Sequence, residues 1–120
     1  MRVSVKRVYE KPAKEDGTRI LVDRLWPRGI AKTKIDLWLK DIAPSNALRK
    51  RYHGHPEDWS AFTQGYFLEL ASPESKSAIA ELRRHLRAGH VTLLYAAKDE
   101  ERNNAVALLE WLKRARRRAP

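Results

Sequence analysis

RILVDRLWPRG, residues 19–29, passes from an apolar strand into a charged turn. Its first half is a nearly continuous apolar run, which is typical of a strand covered on both faces. Pro27 and Gly29 then favour a turn of the backbone. The pattern predicts a strand over residues 19–25 that delivers Asp and Arg side chains to the carboxyl edge of a sheet.

A second apolar run, VTLLYA at residues 91–96, ends in the same way, because Lys98 and Asp99 follow it. The residues between the two runs carry helical patterns, so the two strands are predicted to pair in parallel through a right-handed crossover. Open α/β sheets bind their ligands beyond the carboxyl ends of the strands. We therefore expect one site, built from two parts of the chain that are far apart in sequence.

The remaining elements complete an α/β pattern. Residues 30–43 are ambiguous between a short strand and a helical turn, and Ser45 is a good N-cap for the helix that follows. The predicted elements are a first strand from Val3 to about Tyr9, helices over 46–52, 57–70 and 73–88, and a last helix capped by Asp99. The sequence predicts a single compact domain over residues 1–112, a small mostly parallel sheet covered by helices, with a basic C-terminal tail over 113–120.

Composition narrows the class of protein. The chain has 120 residues, which suits one domain, and 42% of them are hydrophobic, enough for a core. It has no cysteine, which excludes disulfides and thiol catalysis, and no apolar run approaches the roughly 20 residues of a membrane span. Its beginning does not resemble a secretory signal. We expect a cytoplasmic protein with no membrane partner and no cofactor.

The charge is strongly positive. The formal net charge is +10, and half of it comes from Lys113, Arg114, Arg116, Arg117 and Arg118, with no acidic residue after Glu110. Such a tail attracts phosphate polymers without sequence preference, so nucleic-acid binding is one alternative function. The simpler interpretation is a solvated helix end whose cations complement the helix dipole.

Three ordered motifs resemble the YeaO-like family of small bacterial proteins, which is grouped as a domain of unknown function. They are VDRLWPRG at residues 22–29, KDIAPS at 40–45 followed by Leu48-Arg49, and LLYAAKD at 93–99. The resemblance implies a single-domain cytoplasmic α/β protein and brings no activity, substrate or cofactor. Arg102 stands where the family pattern carries a His, whereas Asn103 matches it.

Basic side chains at the two strand ends suggest an anion site. Arg24 and Arg28 could grip a phosphate or carboxylate, and Lys98 would add a third positive charge. Arg49 and Asn103 are further candidates for ligand binding. The alternative is a structural ion network in which Arg24 pairs with nearby carboxylates, drawn from Asp23, Asp41 and Asp99.

Asp23 and Asp99 are the candidate catalytic residues, as a pair that could move a proton or, as a less favoured alternative, hold a magnesium ion. The competing explanation for Asp99 is helix capping. Metal binding is not expected, because His53 and His55 lack the further ligands that zinc requires.

Trp59, Phe62 and Tyr66 have helical spacing and are interpreted as core rather than as a stacking platform. Trp26 and Trp38 lie near the predicted crevice, where an aromatic wall beside two Arg would suit a nucleobase or another flat ligand, although packing is the favoured interpretation for them as well. The leading hypothesis is binding of a small anionic ligand. Non-specific nucleic-acid binding and a non-catalytic adaptor remain alternatives, and neither enzymatic activity nor oligomeric state can be deduced.

Overall fold

Four parallel strands form the sheet in the computed structural model, which describes residues 1–118, with side chains up to residue 115. The strands are β1 (Val3–Arg7), β2 (Thr18–Leu21), β3 (Leu37–Trp38) and β4 (Val91–Tyr95), in the order β1-β4-β2-β3. β4 pairs in parallel with both β1 and β2, and its register with β2 runs from Thr18 beside Val91 to Leu21 beside Leu94. The predicted parallel pairing of β2 with β4 is confirmed.

The helices follow the predicted order. They are α1 (Asn46–Tyr52), α2 (Trp59–Leu70), α3 (Lys76–Ala88) and α4 (Asn104–Arg118). Ser45 caps α1, because its Oγ accepts a hydrogen bond from the Leu48 amide at 3.1 Å. Short 3₁₀ turns at Pro56–Asp58 and Pro73–Ser75 precede α2 and α3, so both helices begin later than predicted.

The helices cover one face of the sheet. Inward side chains of β2 and β4, such as Ile20 and Leu93, form the main core together with buried residues of α2, α3 and α4. Tyr66 lies at the centre of this layer with no exposed surface, and its hydroxyl donates to the Ile42 carbonyl oxygen at 2.7 Å. The side-chain period of two in each strand separates this core from a second one.

The opposite face is covered by loop residues. Leu21 and Leu94 pack there with Val8 and Ile35, and the indoles of Trp26 and Trp38 close this smaller core, their centroids 5.5 Å apart and their planes at 70°. The same face carries a polar cluster of Lys6, Asp16 and Arg19, in which both cations bind the Asp16 carboxylate. Non-helical chain thus completes a fold whose class is as predicted, α/β with a small parallel sheet.

Strand β2 is shorter than expected, since it ends at Leu21 and not at Leu25. The Val22 amide still donates to the Leu94 carbonyl oxygen at 3.1 Å. The next amide of the partner strand, that of Ala96, donates to the Asp23 carboxylate at 2.9 Å. A side chain therefore replaces the backbone ladder, which frees the chain to turn.

The structure also assigns secondary structure to the ambiguous residues 30–43 and to the C-terminal region. Residues 30–43 contain the short strand β3 and a 3₁₀ turn at Lys40–Ile42. Helix α4 continues to Arg118, so residues 113–118 of the predicted basic tail are helical, while residues 119–120 lie outside the described part. Within residues 1–118, none of the helices combines the length and apolarity needed to cross a membrane.

Candidate functional site

The carboxyl ends of β2 and β4 open onto a cavity of about 690 Å³. The chain leaves both strands at the same edge, because Leu21 and Leu94 are register partners. The cavity is lined by all the predicted site residues, namely Asp23, Arg24, Arg28, Arg49, Lys98, Asp99 and Asn103. The structure thus gathers the predicted residues around one space. Of the two tryptophans near the predicted crevice, Trp26 lines the cavity, and other aromatic residues form a wall there.

Asp23 lies at the junction of four elements. Its carboxylate accepts hydrogen bonds from the Ala96 amide at 2.9 Å and from Asn104 Nδ2 at 3.0 Å, and its carbonyl oxygen accepts from Trp38 Nε1 at 2.7 Å. Burial raises the pKa of the Asp23 carboxyl, against the two hydrogen bonds and the charge of Arg49, which favour the ionised form. This carboxyl both joins the strand ends and faces the cavity.

Arg24 is held by backbone oxygens and not by carboxylates. Its Nε donates to the Pro44 carbonyl oxygen and its Nη2 to the Ala43 carbonyl oxygen, both at 3.1 Å. These contacts tie the loop after β2 to the entry of α1. The alternative in which Arg24 joins a structural ion network finds no support among the described residues, where its guanidinium has no ion pair.

The other predicted cations lie on the rim. Arg28 and Lys98 are exposed, and the described part of the chain gives neither side chain an ion pair. Arg49 is also exposed and donates through Nη1 to Asn46 Oδ1 at 3.1 Å. Arg102, which was not predicted to belong to the site, brings the lining to five cations against two carboxylates.

The N-cap of the last helix is Asn103, and not Asp99 as the sequence suggested. The alternative in which Asp99 caps the last helix is wrong, because α4 begins at Asn104 and the Asn103 Oδ1 accepts from the Val106 amide at 2.9 Å. Asp99 instead caps the preceding turn, where the amides of Arg102 and Glu101 donate to its Oδ1 and lower the pKa of its carboxyl. Asn103 is buried and its Nδ2 donates to the Asp99 carbonyl oxygen at 2.9 Å, so both its polar groups are engaged in structure.

The aromatic wall comes from α1 and α2, which sequence reasoning did not assign to the site. Tyr52, Trp59 and Phe62 are half-buried and line the cavity. Helical spacing predicted Trp59 and Phe62 as core, which holds in part, since both also touch the main core. The signal that could have located them is their position on the crossover, because chain leaving the carboxyl end of a parallel strand begins at the edge where the site lies.

Arg102 connects two loops at the cavity. Its Nη1 donates to the Pro56 carbonyl oxygen at 2.6 Å, which links the turn before α4 to the turn before α2. Both residues are exposed and both line the cavity. The residue that replaces the His expected from the family pattern therefore braces the aromatic wall.

A set of metal-ligating groups lies in the turn before α2. His55, Glu57 and Asp58 bring ligand atoms within 4.8 Å of one another, and all three are exposed. His55 Nδ1 already contacts the Glu57 carboxylate at 3.2 Å. His53, the residue that the sequence paired with His55, is not a member of this set.

Comparison with known proteins gives the family. The model of the family described as "Inactive DUF488-N3 subclade" matches residues 2–120. The chain is 44% identical over 115 residues to the Uncharacterized protein YeaO of Escherichia coli (strain K12), a match that covers 94% of this chain and 98% of that protein. It is 42% identical over 113 residues to the Uncharacterized protein Rv3073c of Mycobacterium tuberculosis (strain ATCC 25618 / H37Rv), covering 92% of this chain and 93% of the relative.

No solved structure matches the chain at significant similarity. The chain belongs to the inactive DUF488-N3 subclade, and the resemblance to YeaO-like proteins that its motifs indicated is confirmed.

Proposed function

We propose that this member of the inactive DUF488-N3 subclade binds a small ligand with a phosphate or carboxylate group in the cavity at the carboxyl edge of its sheet. The proposal rests on the observation that the positive charges lining the cavity form no ion pairs with described carboxylates. Five cations line the cavity, and none of them forms an ion pair within the described residues. An anion supplied by a ligand would satisfy them, and the excess of positive charge at the cavity attracts such a ligand.

Arg24 and Arg28 are the proposed anchors for the anion. Arg24 is already oriented by two backbone oxygens, and its Nη1 has no acceptor among the described residues. A guanidinium that is fixed before binding loses less conformational freedom on contact with an anion. Arg28, Arg49 and Lys98 would adjust around the ligand, because their side chains are exposed.

We assign the cavity a binding role and not turnover. The description of the family as inactive favours this choice. The two candidate catalytic carboxyls are also both engaged in hydrogen bonds within the fold. Asp99 is exposed and held ionised by backbone amides, while Asp23 is engaged by Ala96 and Asn104.

The two alternative functions have less support. Nucleic-acid binding through the C-terminal region would use cations such as Arg114, which is paired with Glu110 at 2.6 Å and lies 5.4 Å from the ring centroid of Phe67. A docking adaptor would expose aromatic side chains. Among the described residues, Tyr9 is the exposed aromatic residue, at 44%, and the other large exposed apolar residues are Met1, Leu25 and Leu68.

Calorimetric titration with ribose 5-phosphate, citrate and inorganic phosphate at low salt tests the proposal. At least one of these anions should bind, and Arg28→Ala should weaken its binding by about tenfold, as expected for one charge-assisted contact. Arg84→Ala is the matched control, because it removes the same charge from α3, outside the cavity. Binding that is absent from the wild type, or that both variants weaken equally, would contradict the proposal.

A further inference from the structure

We propose that the ligand carries a planar aromatic ring beside its anionic group, and that the ring stacks on the wall formed by Tyr52, Trp59 and Phe62. This inference rests on the proposed function of the same cavity and adds the class of ligand. It excludes bare phosphate and open-chain phosphates or carboxylates as the preferred ligands. The chemical classes that fit are nucleoside monophosphates and aromatic carboxylates.

The wall is a continuous aromatic surface. Trp59 and Phe62 are stacked, with ring centroids 5.6 Å apart and planes at 23°. Tyr52 meets the Phe62 ring edge-on, at a centroid distance of 6.2 Å and an angle of 80°. A stacked pair with a perpendicular neighbour offers a flat ring both a face and an edge to contact.

These rings differ from the core aromatic residue of the same helix. Tyr66 is one turn further along α2, has no exposed surface and satisfies its hydroxyl on the Ile42 carbonyl oxygen. Trp59 and Phe62 keep part of their surface open and line the cavity. The apolar surface of the helix therefore continues out of the core and into the site, where a ligand can cover it.

The charges are placed for a ligand with two ends. Arg24, Arg28 and Lys98 enter the cavity from the loops that follow β2 and β4. The rings enter from α1 and α2. Arg49 lies on α1 three residues before Tyr52, so these two side chains are neighbours on one helix face. A volume of about 690 Å³ lies within the roughly 300–1,000 Å³ typical of small-molecule sites.

The experiment compares ligands that share an anion and differ in the ring. The four standard nucleoside monophosphates are titrated against ribose 5-phosphate, and benzoate against acetate. We expect at least one ring-bearing ligand to bind about tenfold more tightly than its ring-free partner, since stacking of one base on an aromatic side chain contributes about this factor. The nucleotide and benzoate arms separate the two sources of the ring.

Variants locate the ring. Trp59→Leu should remove the advantage of the ring-bearing ligand and leave the binding of ribose 5-phosphate unchanged, whereas Trp59→Phe should keep most of it. Trp111→Leu is the matched control, because Trp111 is a half-buried indole that contacts the same core but lies outside the cavity. Tyr52→Leu gives a second test, should Trp59→Leu fail to fold.

The outcomes separate the inference from the function on which it rests. Equal binding of ring-bearing and ring-free anions would overturn the inference and leave the anion site standing. Loss of the ring advantage in Trp111→Leu as well as in Trp59→Leu would also overturn it. If none of these ligands binds, both proposals fail. A single-stranded oligonucleotide that binds a hundredfold more tightly than every monophosphate would replace the small ligand with a polymer.

Discussion

Arg19 lies near the start of strand β2 and Arg24 lies in the loop that follows the strand, and the charges of these two side chains have opposite surroundings. Arg19 is 6% exposed and forms an ion pair with the buried Asp16, which also binds Lys6. Arg24 is half-buried and donates to two backbone oxygens, without a carboxylate among the described residues. The charge of Arg19 is therefore neutralised inside the fold, whereas Arg24 lines a cavity.

The polar cluster at the start of β2 is satisfied almost completely. The Asp16 carboxylate accepts from Lys6, Arg19 and the Ala13 amide, and Arg19 Nε donates to the Lys34 carbonyl oxygen at 2.7 Å. Only Nη2 of Arg19 is buried without a hydrogen bond among the described residues. Such a cluster fixes the loop before β2 against the sheet, and its residues do not line the cavity at the other end of the strand.

The cations at the opposite end of the strand have no carboxylate partner among the described residues. Arg28 and Lys98 are exposed beside Arg24, and the carboxylate nearest to the strand end, Asp23, binds an amide and an asparagine instead of a cation. The comparison indicates that a basic side chain at a sheet edge has a structural role when a carboxylate neutralises its charge. It can bind a ligand when only backbone oxygens orient it. Four measurements can break or sharpen this comparison.

The largest effect is expected at the start of strand β2. Asp16→Ala should lower the free energy of unfolding by about 3–5 kcal/mol, because it leaves the buried Arg19 and the partly buried Lys6 without a carboxylate partner. Chemical denaturation measures this change. Glu74→Ala, which removes an exposed carboxylate, is the control and should have little effect. A loss below about 1 kcal/mol for Asp16→Ala would show that Asp16 does not neutralise the cluster in the way described.

A smaller loss of stability is expected at the other end of strand β2. Arg24→Met should cost about 1–2 kcal/mol, since it removes two hydrogen bonds to the carbonyl oxygens of Ala43 and Pro44. It should also weaken anion binding, which Asp16→Ala should not do in the fraction that remains folded. Thermal unfolding and calorimetry on the same samples separate the two effects. Unchanged anion binding by Arg24→Met would break the comparison.

The two carboxyls should respond to pH with opposite signs. Burial opposes ionisation of Asp16, but its hydrogen bonds with Ala13, Lys6 and Arg19 outweigh burial and lower its pKa, so its contribution to stability is present above pH 3.8 and is lost as pH falls below that value. Burial raises the pKa of Asp23, so its ionisation reduces stability as pH rises above 3.8.

Denaturation curves between pH 3 and pH 7 on the wild type, Asp16→Asn and Asp23→Asn measure these contributions. The stability advantage of the wild type over Asp16→Asn should grow as pH rises, and its advantage over Asp23→Asn should shrink. The same slope for both differences would contradict the assigned environments.

The smallest effect on stability is expected at Arg28. Its side chain is exposed, and the Tyr9 hydroxyl donates to its backbone oxygen, so Arg28→Ala should change the free energy of unfolding by less than about 0.5 kcal/mol. The same variant should nevertheless weaken anion binding. A large loss of stability without any loss of binding would reassign Arg28 to the fold.

Sequence patterns predicted much of this architecture because their signals are local. The apolar runs located β2 and β4, the length of chain between them implied a parallel pair, and Ser45 marked the start of α1. The capping of α4 was predicted wrongly, since Asp99 and Asn103 are both good caps and the choice depends on the turn between them. The residues that form the aromatic wall were not predicted, because helical spacing does not distinguish residues that face the core from residues that line a cavity.

By itself, the sequence determined the order of the main strands and helices and the excess of positive charge, since these follow from runs of neighbouring residues. It also determined the parallel pairing of β2 with β4, because helical patterns lie between the two apolar runs. Only the tertiary structure decided which cations are neutralised. Asp16 reaches Arg19 and Lys6 because the loop before β2 folds onto the sheet, whereas no described carboxylate reaches Arg24. Even Asp16 and Arg19, which are three residues apart, meet only because the loop before β2 turns back onto the sheet, and the partners of Arg24 lie 19 and 20 positions further along the chain. Such distances between polar groups are set by the folding of the whole chain and not by the composition of one segment.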